Sequence, residues 1–415
     1  MLLTPNLDLP EKLESEHFII HFGLRNPMEG RGLGYGGIRD RILVLTYLHS
    51  LETLYEVMRS APWNREAPIV DKSKKTHVYV SNIVEPFTAD DPFAQTNSLT
   101  TSRVPFIVLP CRNDATTTQT ELQRASAEAV HEATHLFNYT KRPFDKLTTN
   151  AWAWFDEGLA VYMETLVAAG NPEYFRYVMD WIDLPETPLD DPNSMYQACM
   201  FIRYLAKKKG HDFINKIWED SYENETPLET IDRLLGGTND FSSYLPAKDD
   251  MFGSGYCIDP YFLWDHGSIS LAPDIFARYG ERAVSHSLTL GPGRSEKIEG
   301  ELDHLSCRYY RFYLKSDVKH LRIELQSRNG QGVAPLKATA AFVTVNMQRD
   351  LIKTLSNAST QADPVSVSAD MPIANADVIH HIVLIVSNCG TRAVSEYDAS
   401  AHDDGKEFLI EVSAS

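Results

Sequence analysis

Cysteine is scarce and scattered. The five thiols of the 415-residue chain, Cys111, Cys199, Cys257, Cys307 and Cys389, are odd in number and form no C-x-x-C pair. That argues against a four-cysteine zinc site and against a dithiol redox motif, and leaves room for one or two disulfides. Basic residues are outnumbered as well: 39 Lys and Arg stand against 57 Asp and Glu, a formal charge of −18. A broad nucleic-acid surface needs clustered cations, so nucleic acid is not an expected partner. The short run Lys207, Lys208 and Lys209 falls near an expected helix end, where the helix dipole favours positive charge. No apolar run reaches the length of a membrane span, so no transmembrane segment is expected. The opening MLLTPNLDLPEKLESEHF also holds no apolar stretch of signal-peptide length, which fits a protein kept inside the cell or one whose leader has been removed. Internal repeats, long low-complexity tracts and a G-x-S-x-G elbow are all missing, which disfavours a hydroxyl nucleophile.

What is present points to a folded chain. Hydrophobic residues make up 43% of it, with 18 Phe, 19 Tyr and 6 Trp, enough for two or three domains with cores of their own. Within ASAEAVHEATHLFNY, the residues His131, Glu132, Ala133, Thr134 and His135 spell H-E-x-x-H. Ala125, Ala129, Val130, Ala133, Leu136 and Phe137 surround them at helical spacing, with no helix breaker. Residues four apart lie over one another on a helix, so both imidazoles can reach one ion, and Glu132 lies beside them as a candidate base. Glu157 follows His135 by 22 positions. Two imidazoles and a carboxylate suit zinc and leave a fourth position open for water.

The chain reads as α+β in three parts. Residues 1–120 alternate short strands with one helix: HFIIHF from His17 to Phe22, a helix from Asp40 to Met58, THVYVSN around Val78 and VPFIVLP around Ile107. Residues 121–290 are mainly helical, with segments at Trp152 to Ala169, Pro172 to Ile182, Tyr196 to Lys209, Asp212 to Trp218 and Thr230 to Leu235. The Gly- and aromatic-rich stretch from Gly253 reads as an ordered loop of the kind that walls a pocket. Residues 291–415 carry RYYRFYL, HLRIEL, TAAFVTVNM, IHHIVLIVS and EFLIEVS between turn residues, the spacing of a β-sandwich. A packing appendage and a binding module are both compatible with that last part.

Together with HEATH, the segment WAWFDEGLAVYMETL resembles the gluzincin zinc peptidases, a class that includes thermolysin-like enzymes and the M1 aminopeptidases. The M1 form W-L-x-E-G-x-A, followed by an acidic residue seven positions on, is matched here by Trp154, Phe155, Asp156, Glu157, Gly158, Leu159, Ala160 and then Glu164. The resemblance implies a small sheet over an active-site helix, with Glu157 as the third zinc ligand. Glu164 is the competing ligand, and Asp156 and Asn138 are candidates to orient a liganding histidine. Tyr196, before an apolar helix, is similar to the M1 tyrosine that stabilises the transition state, although Gln197, Ala198 and Cys199 replace the usual residues after it. Tyr256, Tyr261 and His266 are the other candidates for that donor. No G-x-M-E-N motif is present, and the spacing from His135 to Glu157 exceeds the M1 pattern. Both departures turn the resemblance from aminopeptidases toward the wider peptidase MA-like group.

The chemistry so implied is zinc-dependent hydrolysis of a peptide or protein substrate by an endopeptidase. Zinc on His131, His135 and Glu157 activates water, Glu132 moves the proton, and Tyr196 steadies the oxyanion. A zinc hydrolase acting on another amide or an ester, and a non-catalytic protein on the same fold, remain the alternatives. Oligomeric state is not legible.

Overall fold

The computed structural model describes residues 9, 11–23, 41–68, 70, 72–80, 95–98, 105–110, 118–142, 150–168, 170, 176–177, 180, 183–191, 193–223, 225–234, 284–303, 306–327, 336–344, 349–357, 366–373, 379–388 and 406–415. Helices and three β-sheets make an α+β chain. It divides into two compact units, the first being Met1–Val178 with Met195–Ser221, the second Met179–Ser194 with Tyr222–Ser415.

In the first unit, β1 (Glu11–Glu14), β2 (Phe18–Phe22), β3 (Thr76–Val80), β4 (Gln95–Ser98) and β5 (Pro105–Leu109) form one sheet in the order β1-β2-β3-β5-β4. The central pairs β2–β3 and β3–β5 are parallel, and the edge strands β1 and β4 run antiparallel to their neighbours. Successive strand residues face opposite ways, so Phe18, Ile20, Phe22, Val78, Val80, Ile107 and Leu109 line one largely apolar face. Two helices, α1 (Arg41–Arg59) and α2 (Gln119–Tyr139), pack against this sheet and each other.

The sequence explains both helices. α1 buries Leu43, Val44, Tyr47, Leu51, Leu54 and Met58, a stripe at spacings of one, three, four and seven. α2 starts at a capping box: the Thr118 hydroxyl accepts the Glu121 N–H, and the Glu121 carboxylate accepts the Thr118 N–H. Polar pins hold α1: the Tyr47 hydroxyl donates to the carbonyl of Pro110, just after β5, at 2.9 Å, and Ser50 meets Ser126 of α2 at 2.8 Å.

A third helix, α3 (Asn150–Val167), packs on α2. It buries Trp152, Trp154, Phe155, Leu159, Ala160, Val161, Tyr162 and Met163, so it is apolar nearly all round. A 3₁₀ turn (Met195–Ala198) leads into α4 (Cys199–Lys209), which ends at Gly210 with φ 85°, and α5 (His211–Glu219) follows. Gly158 is where α3 meets this turn. A Cβ there would lie 3.0 Å from both the carbonyl carbon and the Cβ of Ala198, and 3.1 Å from the Cys199 nitrogen. Alanine adds about 1 kcal/mol of helix propensity, whereas overpacking against backbone costs about 1–3 kcal/mol. Gly158→Ala is therefore expected to lose about 1 kcal/mol in chemical denaturation; a gain would show that the turn yields freely.

Among the described residues, the second unit holds α6 (Pro227–Leu234) and nine strands: β6 (Val284–Leu290), β7 (Ser295–Leu302), β8 (Ser306–Leu314), β9 (His320–Ser327), β10 (Leu336–Thr344), β11 (Arg349–Asn357), β12 (Ser366–Pro372), β13 (Ile379–Asn388) and β14 (Lys406–Ala414). Their order is β6-β8-β13-β10-β11-β12-β9-β14-β7, antiparallel except for β6 beside β8. The β11–β12 link is a ladder of two residue pairs, and it joins two otherwise separate sheets. One apolar cluster draws on both, with Tyr310, Phe312, Ile382 and Leu384 from the first and Ile323, Leu325, Phe408 and Ile410 from the second. β6 already belongs to this strand-rich part, ahead of Gly291.

Among the described cysteines, Cys199 and Cys307 are buried free thiols. No helix among the described residues is long and apolar enough to cross a membrane.

Candidate metal centre

His131 and His135 stand one helical turn apart on α2, and Glu157 comes from α3 packed across it. One donor atom from each lies within 4.8 Å of the other two. His131 Nε2 is 3.0 Å from Glu157 Oε2, and His135 Nε2 is 3.6 Å from the same oxygen. His135 is buried, while His131 and Glu157 keep some exposure, so the cluster opens on one side. These three side chains can hold a metal ion.

The opposite nitrogens are held from behind. His131 Nδ1 is hydrogen-bonded to Glu164 Oε1 at 2.7 Å, and His135 Nδ1 lies 2.9 Å from Asp156 Oδ2. The Asn138 amide donates to Asp156 Oδ1 at 2.6 Å. The Glu164 hydrogen bond orients the His131 ring, and Asp156 stands at ion-pair distance behind His135, so that both Nε2 atoms face Glu157. Glu164, read from sequence as the competing ligand, thus stands on the far side of His131 from Glu157. Asp156 and Asn138 occupy the orienting positions that were candidates for them. Glu132 is buried beside His131 on α2.

Two tyrosines flank the histidines. Tyr196 is 5.9 Å from His131 between ring centroids and stacks on Tyr177 at 5.3 Å. The Glu157 charge and burial raise its phenol well above the ordinary range, with Glu132 and Glu164 adding to the effect. Tyr139 stacks on His135 at 6.4 Å, and burial with the charges of Asp156, Glu132 and Glu157 raises its phenol likewise. Both hydroxyls stay protonated and can donate. Tyr139 was not singled out from the sequence; its position four residues after His135, on the same helix face, is the signal that finds it. Tyr256, Tyr261 and His266 lie outside the described residues.

The electrostatics have a testable sign. Burial lowers the proton affinity of His131, but Glu157 and Glu164 outweigh it and push the imidazole up to about 10. His135 is raised well above its ordinary value of 6.5 because Asp156 and Glu157 overcome burial. Burial raises the Glu157 carboxyl, yet the two imidazoles win and hold it far below its ordinary 4.5. In the metal-free chain the histidine contribution to stability is complete below pH 6.5 and is lost as pH rises through about 10. The Glu157 contribution is present above pH 4.5 and is lost on acidification toward its lowered value. A metal must displace the imidazole protons, so its affinity rises with pH through neutrality. Calorimetric titration at pH 7 in buffers of different ionisation enthalpy is expected to show release of about one to two protons per metal ion; zero release would contradict protonated imidazoles in the metal-free chain.

A model described as "Family of unknown function (DUF6055)" matches residues 115–245, a stretch that carries all of these residues on α2, α3 and the 3₁₀ turn. No curated protein matches the chain. Among solved structures, Aeromonas hydrophila PliG, a periplasmic lysozyme inhibitor of g-type lysozyme, is similar at 6% identity and a TM-score of 0.17, covering 31% of this chain and 98% of its own. The infectious bursal disease virus VP2 subviral particle is similar at 13% identity and a TM-score of 0.18, covering 30% of this chain and 33% of its own. Likenesses this loose carry no argument about fold or activity.

Proposed function

We propose that the chain is a zinc-dependent endopeptidase of the gluzincin type, a zincin-like catalytic unit followed by a β-sandwich. The observation that carries this reading is the convergence of His131 Nε2, His135 Nε2 and a Glu157 oxygen, with a carboxylate behind each ring. Glu157 Oε2 lies 3.0 and 3.6 Å from the two imidazole nitrogens, close enough for the three side chains to hold one ion between them. Two nitrogens and one carboxylate oxygen form a donor set of the catalytic kind, which keeps one position open.

When bound, zinc supplies the Lewis acidity that activates a water and polarises a carbonyl. The chain's own residues do the rest. Glu132 accepts the proton of the attacking water at its carboxylate and delivers it to the leaving amine. Tyr196 donates its phenolic hydrogen to the oxygen on which charge develops, a contact worth several kcal/mol when preorganised, about 10²–10³ in rate. Glu164 and Asp156 hold the two imidazoles in register throughout.

Incubating the full chain, supplied with zinc, with a mixed peptide library tests the reading. Internal cleavage by the wild type and none by Glu132→Gln supports it. Zinc uptake with no peptide cleaved would redirect the site to another amide or an ester.

A further inference from the structure

The sheet of the first unit has two faces. Phe18, Ile20 and Val78 are fully buried on one, and Phe18 meets Tyr55 of α1 at 6.2 Å. His21, His77 and Tyr79 alternate with them along β2 and β3 and so lie on the other face, all three half-buried. The two strands are parallel, with His21 beside Tyr79 and Ile19 beside His77. That register sets the two histidines on a diagonal, and their rings meet: His21 Nε2 is 2.9 Å from His77 Nδ1. The pair takes no part in the chemistry described above.

Its geometry is that of two ligands waiting on one ion. Two neutral imidazole nitrogens that face each other share a single hydrogen, so one lone pair always points into the gap between the rings. Moving that hydrogen to the outer nitrogen of its own ring frees the second lone pair with no change of charge. Neighbours hold both rings in place. Tyr79 stacks on His21 at 4.8 Å, and the two imidazoles lie within 15° of parallel. On the far side of His77, its Nε2 is 3.4 Å from the Ser73 hydroxyl, whose oxygen also accepts the Lys75 N–H at 3.2 Å. A polar group on the outer nitrogen is what fixes the tautomer of a metal-binding histidine. Burial lowers His21 to about 4, with His77 and Lys12 adding to the effect and Glu14 opposing it, so its ring is neutral at pH 7. Lys12, opposite His21 on β1, is exposed, and water and salt screen its repulsion of a cation.

We propose that His21 and His77 form a second metal site, for a late first-row divalent ion such as copper, nickel or zinc. Imidazole suits these ions, whereas magnesium and calcium prefer oxygen. The ion takes the place of the hydrogen bond between the rings, and water fills its remaining positions. Two neutral ligands hold zinc more loosely than two imidazoles and a carboxylate, so dialysis strips this site and leaves the main centre loaded. The site does not depend on what the main centre does.

Copper titration of the full chain tests it, with the main centre silenced by His131→Ala and His135→Ala. Cu²⁺ is the probe because it binds such ligands most tightly among the first-row divalent ions. Its first equivalent is expected to broaden the NMR ring signals of His21 and His77 before those of any other histidine. His21→Asn and His77→Asn should each weaken that equivalent by at least about 10-fold, since losing even a group behind a ligand costs about 10- to 100-fold. A large excess of Mg²⁺ should not displace it. Copper that broadens other histidines first, or keeps its affinity in both single variants, would overturn the proposal. Should the silenced chain not fold, the wild type decides: His21 and His77 must broaden within the first two equivalents, and sharp signals there would overturn the site.

Discussion

Replacing Glu132 by Gln is expected to lower peptide turnover by about 10²–10⁴-fold, the range that general acid–base catalysis supplies, with zinc content unchanged. Glu132 shares α2 with both histidines, and its charge reaches the phenols of Tyr139 and Tyr196 on either side of them. Its carboxylate is therefore part of the cluster without being one of the three convergent donors. Glutamine keeps the shape and removes the proton acceptor. Steady-state kinetics on a cleaved library peptide, with metal analysis on the same sample, separates the two roles. A variant that loses zinc along with activity would make Glu132 a ligand, and a variant with full activity would remove it from the chemistry.

Glu157→Gln should do the opposite and act on the metal first. One Glu157 oxygen is the point toward which both Nε2 atoms converge, at 3.0 and 3.6 Å. An apparent zinc binding energy of about 10–16 kcal/mol shared over four ligands assigns about 3 kcal/mol to each, on the order of 10²-fold in affinity. The metal-free variant has a second signature. Without the carboxylate charge the two imidazoles lose a main support against burial, so their proton affinities fall toward the ordinary 6.5. Histidine titration by NMR in the metal-free variant reads that fall, and unchanged titration would show that Glu164 and Asp156 suffice on their own.

Much of this arrangement was legible in the sequence because it is local. H-E-x-x-H at helical spacing, and the apolar run around Glu157, each place side chains on one helix without reference to the rest of the fold. The helices at α1, α2 and α3 and the strands at β2, β3, β5, β8, β9, β10, β13 and β14 appear where periodicity set them, within a few residues. The edge strands β1, EKLE, and β4, QTNS, were not legible, because polar residues carry no apolar alternation and the ladder with a neighbour makes the strand. The same holds for β7, whose outward residues are mostly charged. Tyr196 was expected to begin a helix; it lies instead in the 3₁₀ turn that Gly158 admits against α3. The pairing of His21 with His77 was invisible for a different reason. Nothing in HFIIHF or THVYV says that the two strands lie side by side, and only the parallel ladder brings the rings together.

Zinc stoichiometry tests the central claim most directly. The full chain is exposed to excess zinc, dialysed and assayed by elemental analysis, beside Glu132→Gln and a His131→Ala, His135→Ala double variant verified as folded by circular dichroism. One zinc per chain in the wild type and in Glu132→Gln, with almost none in the double variant, is the expected result. No zinc in the wild type, or full zinc retained without the two histidines, would contradict a metal centre at this site.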